Sequence, residues 1–293
     1  MRRWPTWLVV GALVVLAAIA FADAIRPTGG STGISLQAPR ASGLQGTLVV
    51  AGPDCSVSAL RLPALVEQEP PRQPDCGGIV WSADGTVSAV CARNVTTVRP
   101  TPNGVLLRVR GCAPAWRADG AVSVIRDGNL LVAPRRGTPR IFLSQSQLLA
   151  QLAGRLPDSR TWSLKEVQWF GRSSFAAILA GRHPRETAVA VFRGGVLESV
   201  VPELGQHISS LRLSPLGNLG FAHNQLGREF VMLTRLGKEI PLPRIANARA
   251  IAWSPDERWV ALCTPTTTFI ALTGSRRIVR QIAVGGDALD WTR

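Results

Sequence analysis

The stretch IAWSPDERWVALCT, from Ile251 to Thr264, decides the fold because the chain repeats its pattern. IVWSADGTVSAVCA begins at Ile79, and PAWRADGAVSVIRDG begins at Pro114. In each copy an apolar run ends in Trp, a short turn containing Asp follows, and a second apolar run begins. Short apolar runs separated by turn residues are typical of β-hairpins. The sequence therefore predicts one β unit that recurs along the chain.

The residue that ends the first strand of each unit marks the repeat. The six markers are Trp81, Trp116, Trp169, Leu213, Trp253 and Trp291. Consecutive markers are separated by 35, 53, 44, 40 and 38 residues. A period of about 40 residues with four short strands is typical of β-propeller blades. The longest interval contains SQSQLLAQLAGRL (144–156), whose Ser cap and spaced leucines predict a helix. We interpret 144–162 as a helical insertion between two blades.

The two ends of the repeat region complete each other. DALDWTR (287–293) is a lone first strand, whereas 46–66 contains strands but no marker strand before them. We expect the two ends to form one blade, because pairing them closes the ring and removes open sheet edges. The predicted fold is all-β, a six-bladed β-propeller over 46–293 closed by its N- and C-terminal strands and preceded by one N-terminal hydrophobic helix.

The turns after the markers share their chemistry. The equivalent pairs are Asp84 and Gly85, Asp119 and Gly120, and Asp256 and Glu257. An Asp in such a turn bonds nearby amides, and Gly adopts the left-handed conformation that returns the chain. Glu257 departs from this pattern and predicts a strained or shifted turn. Since the repeat places the three acids far apart on different blades, we interpret them as structural rather than as a metal or acid–base site.

The repeat resembles the TolB-type, WD-repeat-like family of six-bladed β-propellers, whose blades carry Trp-Ser-Pro-Asp-Gly after the first strand. WSADG (81–85), WRADG (116–120) and WSPDE (253–257) match best. LSPLG (213–217) is degenerate, and WFGRS (169–173) departs most. The resemblance implies a propeller and, as in TolB-type proteins, protein partners in the cell envelope. It does not imply an activity, because propellers carry many unrelated functions.

The N-terminal segment predicts export. Two arginines precede an uncharged stretch from Trp4 to Ala22, which has the length of a membrane span with its positive end in the cytoplasm. We interpret 1–25 as a signal anchor or a cleaved signal peptide, since AFA (20–22) and ADA (22–24) fit a signal-peptidase site. Residues 26–45 are rich in Gly, Ser and Pro and predict a flexible linker. The expected localisation is the plasma membrane, with the C-terminal domain outside the cytoplasm, or secreted or periplasmic if the segment is cleaved.

The cysteines fit an oxidising compartment. Cys55 and Cys76 are 21 residues apart, and so are Cys91 and Cys112. The doubled spacing favours the disulfides Cys55–Cys76 and Cys91–Cys112, although four cysteines allow three connectivities. We expect Cys263 to be a small buried hydrophobe.

The composition argues against nucleic acid as the ligand. The formal net charge is +14, but the basic residues are scattered, all but Lys165 and Lys238 are Arg, and aromatic residues do not interleave with them. A binder of anionic envelope polymers remains an alternative if the arginines cluster on one face of the ring.

Catalytic residues are not evident. His183 lies in a polar hairpin loop, and neither His207 nor His223 has a Ser or Cys partner in the pattern. Four acids are expected near the channel: Asp75, Glu166, Asp287 and Asp290. They are too few on the innermost strands to predict a metal, so we expect no catalytic residue, metal or cofactor. A propeller hydrolase with a channel site remains the enzymatic alternative.

The sequence as a whole predicts a binding protein rather than an enzyme. We expect a monomeric, membrane-tethered propeller of the cell envelope that binds or scaffolds a protein partner. The insertion at 144–162 is the expected contact surface, or else a lid or plug over the ring.

Overall fold

The computed structural model describes residues 43–293 apart from 101–103, 184, 205–207, 225–227 and 235. Within these residues, 24 strands form six four-stranded antiparallel sheets, which are the blades of a β-propeller. The predicted fold class is confirmed. The predicted N-terminal helix and most of the predicted linker lie outside the described residues.

Each blade is given from its innermost strand outward. Blade 1 is β24 (Ala288–Thr292), β1 (Gly46–Ala51), β2 (Val57–Leu62) and β3 (Val66–Gln68). Blade 2 is β4 (Ile79–Trp81), β5 (Val87–Ala92), β6 (Val95–Pro100) and β7 (Leu107–Arg110). Blade 3 is β8 (Cys112–Trp116), β9 (Val122–Arg126), β10 (Asn129–Ala133) and β11 (Arg140–Leu143).

The remaining three blades follow in chain order. Blade 4 is β12 (Ser163–Trp169), β13 (Phe175–Ala180), β14 (Glu186–Arg193) and β15 (Val196–Leu204). Blade 5 is β16 (Ile208–Leu213), β17 (Leu219–Asn224), β18 (Arg228–Leu233) and β19 (Glu239–Ile240). Blade 6 is β20 (Ala250–Trp253), β21 (Trp259–Cys263), β22 (Thr268–Leu272) and β23 (Ile278–Ile282).

The ring closes as the sequence predicts. Strand β24 pairs antiparallel with β1, with Thr47 opposite Thr292 and Ala51 opposite Ala288. The pairing covers the inner edge of β1, which would otherwise expose unpaired backbone groups. The Trp291 indole Nε1 also donates to the Gln45 carbonyl at 3.0 Å. The last strand of the chain is therefore part of the first blade.

The core lies between the blades. The second strands β13 and β21 are buried almost throughout, because a sheet inside the ring packs on both faces against neighbouring blades. Apolar clusters join each pair of adjacent blades. The cluster between blades 1 and 2 is the smallest and has three buried members, Ala51, Cys76 and Ala288.

Two disulfides join neighbouring blades. Cys55–Cys76 links the β1–β2 turn of blade 1 to the segment that precedes blade 2. Cys91–Cys112 links β5 of blade 2 to the first residue of β8 in blade 3. The structure thus has the favoured pairing, and it leaves Cys263 buried and free. The first disulfide crosses the contact with the smallest apolar core.

The predicted plasma-membrane localisation is wrong. A bilayer span requires about 20 apolar residues in one helix, and no helix in the described part of the chain is long and apolar enough. The single α-helix of that part, α1 (Gln145–Leu152), has eight residues. The predicted anchor itself, residues 1–25, lies outside the described residues.

Helix α1 occupies the predicted insertion but is shorter than the predicted 144–156. Ser144 and Gln147 form a capping box at its N-terminus, which satisfies backbone donors that the helix cannot pair. Leu148 and Leu152 are fully buried in the core shared by blades 3 and 4. The Gln151 side chain binds the backbone of Gly195 and Leu197, between β14 and β15. The insertion therefore packs on blade 4 and does not plug the channel.

Candidate functional site

The antiparallel blades divide the ring into two faces. The turns between the first and second strands and between the third and fourth strands open on one face, and the turns between the second and third strands open on the other. We call the first the turn face; it carries 82–86, 117–121, 170–174, 214–218 and 254–258. We call the second the hairpin face; it carries 52–56, 93–94, 127–128 and 264–267.

A cavity of 370 Å³ lies where the innermost strands reach the turn face. Its walls come from blades 4, 5, 6 and 1 and from the segment that precedes β4. Both charged and aromatic side chains line it: Arg72, Asp75, Trp169, Arg212, Trp253 and Asp290. This is the mouth of the central channel.

The charged groups of the channel mouth are paired with one another or with backbone amides. The Arg72 guanidinium forms an ion pair with the Asp290 carboxylate. This pair links the segment that precedes β4 to blade 1. Asp75 Oδ1 accepts from the Trp81 amide at 2.7 Å. Burial raises the pKa of Asp75 above 3.8, although Arg212, the Trp81 amide and Arg72 oppose the shift.

Glu166 is a second acid whose pKa is raised. Burial raises its pKa above 4.5, against the opposing effects of Arg212 and the Leu211 amide. Arg212 therefore stabilises the ionised forms of acids from two different segments. A carboxyl with a raised pKa suits a general acid, but both acids already accept backbone amides. We interpret these groups as a fixed polar lining for a bound surface.

Of the four acids expected near the channel, Asp75 and Asp290 line the mouth. Asp287 lies apart, with its carboxylate 3.9 Å from the Arg249 guanidinium. Among the residues that the structure describes, no three His, Cys, Asp or Glu side chains are grouped to hold a metal ion.

The marker tryptophans pack between blades. Trp116 Nε1 donates to the Val80 carbonyl of blade 2 at 3.0 Å, and Trp169 Nε1 donates to Ser123 Oγ of blade 3 at 2.7 Å. Trp253 lies in the core between blades 5 and 6. Each indole thus contacts the preceding blade, which explains why the repeat places Trp at this position.

The turn acids act inside their own turns. Asp84 Oδ1 accepts from the Ser82 hydroxyl at 2.6 Å and from the Thr86 amide at 3.1 Å, which lowers the pKa of Asp84 to about 2. Asp256 makes the equivalent bond with Ser254 Oγ at 2.6 Å. Asp119 accepts from the Ala121 amide at 3.3 Å and from Arg117 at 2.7 Å. Each acid stabilises one turn.

The histidines do not form a site. His183 is exposed in the loop between β13 and β14, and its Nε2 lies 4.0 Å from a Glu186 carboxylate oxygen. His207 and the side chain of His223 lie outside the described residues. Within the described residues, His183 therefore has no Ser or Cys partner with which it could form a nucleophile–base pair.

The presence of exposed apolar side chains on the turn face is the feature that the sequence analysis missed. Nine large apolar side chains are exposed in the described part of the chain: Val66, Val105, Leu106, Ile141, Val196, Leu216, Leu236, Leu272 and Ile278. Each lies in a turn between strands one and two or strands three and four of its blade, or at a strand end beside such a turn. All nine therefore belong to the turn face. Only the topology reveals this, because in the sequence they are far apart.

Comparisons with known proteins support the fold. No protein-family model matches the chain, and no curated protein matches it in sequence. The structure of a candidate 6-phosphogluconolactonase from Bacteroides uniformis is 10% identical with a TM-score of 0.53, over 85% of this chain and 99% of that one. TolB from Acinetobacter baumannii is 12% identical with a TM-score of 0.48, over 84% of this chain and 66% of that one.

A third similar structure is the β-propeller domain of Cps50 (Swd1) from Myceliophteria thermophila. It is 12% identical with a TM-score of 0.48, over 82% of this chain and 87% of that one. The structure from Bacteroides uniformis, at 10% identity and a TM-score of 0.53, shows the fold alone. The resemblance of the turn motifs to TolB-type proteins is thus supported as a propeller and no further.

Proposed function

We propose that this protein is an extracytoplasmic propeller that binds a protein partner of the cell envelope on its turn face. The observation that carries the proposal is the location of all nine exposed large apolar side chains on that one face. Exposed apolar groups that gather on one side of a soluble domain are typical of a protein interface.

The centre of the turn face has the composition of an interface core. Arg72, Arg212, Trp169 and Trp253 line the channel mouth. Arg and Trp are enriched among the residues that contribute most to binding energy. Leu216, which is 74% exposed, follows the lining residue Pro215 in the β16–β17 turn. Leu236, which is 69% exposed, lies farther out on the same blade, in the β18–β19 turn. A partner that covers the turn face from the mouth to the outer strands of blade 5 would remove both side chains from water.

The two disulfides favour a location outside the cytoplasm. Two of them join blades within the described residues, and structural disulfides persist in oxidising environments outside the cytoplasm. The proposal therefore places binding outside the cytoplasm.

Site-specific photocrosslinking tests the proposed face. A photoreactive amino acid is placed at position 216, 236 or 196 of the full chain in its native cells, and adducts are identified by mass spectrometry. The matched control position is Thr266, which is exposed on the hairpin face. We expect the three turn-face positions to crosslink one common protein and position 266 to leave that protein unlabelled.

Affinity then distinguishes an interface from proximity. The purified partner is titrated against the wild-type chain, Leu216→Asp with Leu236→Asp, and Thr266→Asp. We expect the double turn-face variant to bind at least about tenfold more weakly, because two apolar contacts are lost and two charges are desolvated. No common adduct, or equal affinity in all three proteins, would contradict the proposal.

A further inference from the structure

Three arginines surround a second cavity, on the hairpin face between blades 2 and 3. The cavity has a volume of 480 Å³ and a polar lining: Arg93, Asn94, Val95, Arg110, Arg126 and Asp127. The arginines come from the β5–β6 turn, the end of β7 and the end of β9. Segments from two blades thus bring three guanidinium groups to one place.

The charges in this cavity are unbalanced. Three arginines and one acid, Asp127, line the cavity, so its formal charge is +2. Within the described part of the chain, Arg93, Arg110 and Arg126 take part in no ion pair. Neighbouring like charges repel each other. A bound anion would relieve this repulsion.

Two adjacent tight turns hold the lining. Arg93 and Asn94 have φ of 50° and 61°, and Asp127 and Gly128 have φ of 50° and 74°. Two-residue hairpin turns with positive φ at both positions favour Asn, Asp and Gly. Asn94, Asp127 and Gly128 follow that preference, but Arg93 does not. The local backbone therefore does not explain an arginine at position 93.

The backbone beneath Arg93 and Arg110 is cross-linked. The disulfide Cys91–Cys112 lies two residues from each of them, with 5.3 Å between its Cα atoms. The Gly111 amide donates to the Asn94 carbonyl at 3.0 Å, and the Thr96 hydroxyl donates to the Gly111 carbonyl at 2.8 Å. A fixed backbone reduces the entropy that the arginines lose when they bind a ligand.

The helical insertion supports the third arginine. Asn129 Nδ2 donates to the Arg126 carbonyl at 3.3 Å, and the Gln145 amide donates to Asn129 Oδ1 at 2.9 Å. The first residue of α1 thus holds the turn that carries Arg126 and Asp127. A side-chain carbon on Gly128 would clash with the Gln145 side chain, so this turn and the start of α1 approach each other closely.

We propose that this cavity, the arginine cavity, binds a phosphate group. A carboxylate would neutralise one of the two surplus charges, whereas a phosphate monoester carries about −1.5 to −2. Its oxygens also match guanidinium groups, each of which offers paired N–H donors. The cavity lies on the face opposite to the proposed protein interface, so the two sites are separate. The phosphate is either inorganic phosphate or a phosphate ester.

Calorimetric titration of the full chain tests the proposal. The probes are inorganic phosphate and glycerol 3-phosphate, with acetate as a carboxylate control. We expect saturable binding of at least one phosphate probe and weaker binding of acetate. The double variant Arg93→Gln with Arg126→Gln should bind that probe at least about tenfold more weakly, because charge-assisted hydrogen bonds are lost. Preference for the ester over inorganic phosphate would identify the source of the group.

Two controls separate a site from general charge. Arg244→Gln removes one exposed arginine far from the cavity lining and should leave the affinity unchanged. Arg126→Lys keeps the charge but loses the paired donors, and it should bind between the wild type and the double variant. Circular dichroism must show that each variant is folded. The proposal would be overturned if the wild-type chain showed no saturable phosphate binding. It would also be overturned if Arg244→Gln lost as much affinity for the phosphate probe as the double variant.

Discussion

Glu257 shows how one residue exchanges local preference for a contact between blades. It takes the place of the glycine in the third copy of the turn motif and has a φ of 56°. The sequence predicted strain or a shifted turn at this point, and the left-handed conformation is the one that glycine adopts in the other copies. The Glu257 carboxylate accepts from the Leu216 amide and from Asn218 Nδ2 of blade 5. Glycine would relieve the backbone but remove both bonds.

The substitution Glu257→Gly has two opposing effects on stability: it relieves the left-handed backbone and it removes both hydrogen bonds. Hydrogen bonds to a charged group contribute more than the left-handed conformation costs, so we expect the variant to be destabilised by roughly 1–2 kcal/mol. Urea unfolding measures the change. Asn247→Gly is the control, since Asn247 also has a positive φ of 59° and is exposed. A more stable Glu257→Gly would show that strain dominates.

Asp75 predicts a dependence of stability on pH. Its folded-state pKa is raised above 3.8, so the folded chain binds more protons than the unfolded chain between pH 3.8 and the raised value. Its contribution to stability is therefore present below pH 3.8 and is lost as the pH rises through the folded pKa. Asp75→Asn removes the ionisation but keeps an acceptor for the Trp81 amide. We expect the variant to exceed the wild type in stability at neutral pH.

The measurement is urea unfolding of both proteins at a series of pH values from neutral to below 3.8. The advantage of Asp75→Asn should shrink as the pH falls. Asp158→Asn, in an exposed left-handed position, is the control. An advantage of Asp75→Asn that does not vary with pH would argue against buried ionisation as its cause.

At the scale of the element, α1 is a part of the core as well as an insertion. Leu148 and Leu152 are 0% exposed and pack with residues of blades 3 and 4. Leu148→Ala should cost about 2–5 kcal/mol, because the neighbouring strands cannot close the space that is left. Ala150→Gln, on the exposed side of the helix, should change stability by less than about 0.5 kcal/mol. Thermal unfolding tests both.

A Leu148→Ala variant as stable as the wild type would contradict the packing role. The prediction that the insertion is a contact surface is separate from this role and stays a prediction. Its partner would have to use the exposed side chains, such as Ser146 and Ala150, since the apolar side of α1 is covered.

At the scale of the molecule, the contact between blades 1 and 2 depends on covalent support. Three buried side chains form its apolar cluster, whereas eight form the one between blades 2 and 3. Removing Cys55–Cys76 by two Cys→Ala substitutions should cost about 3 kcal/mol, the usual value for a closed loop of this size. We expect the loss to exceed that of Cys91→Ala with Cys112→Ala, because less packing remains at the first contact.

Denaturant unfolding of both double variants compares the two disulfides. A larger loss for Cys91→Ala with Cys112→Ala would show that the small cluster does not limit the ring. The slope of the transition is also informative, because a ring that opens at one contact would expose surface before the rest unfolds.

The sequence alone determined the number of blades, their innermost strands and the closure of the ring. These follow from local signals, namely a Trp at the end of a strand, a turn with Asp, and an apolar period, and each blade forms largely from neighbouring residues. It also indicated the disulfide pairs, because a doubled spacing of 21 is a local pattern.

Only the tertiary structure decided what the surface of the ring offers. The nine exposed apolar side chains of the turn face and the three arginines of the arginine cavity are scattered in the sequence. The alternation of turn ends places the apolar side chains on one face, and the packing of blade 2 on blade 3 brings the three arginines to one cavity. The buried residues recur at equivalent positions in each blade, so they can be recognised in the sequence from their period. A binding surface is assembled across blades from residues that do not repeat, and no period in the sequence marks it.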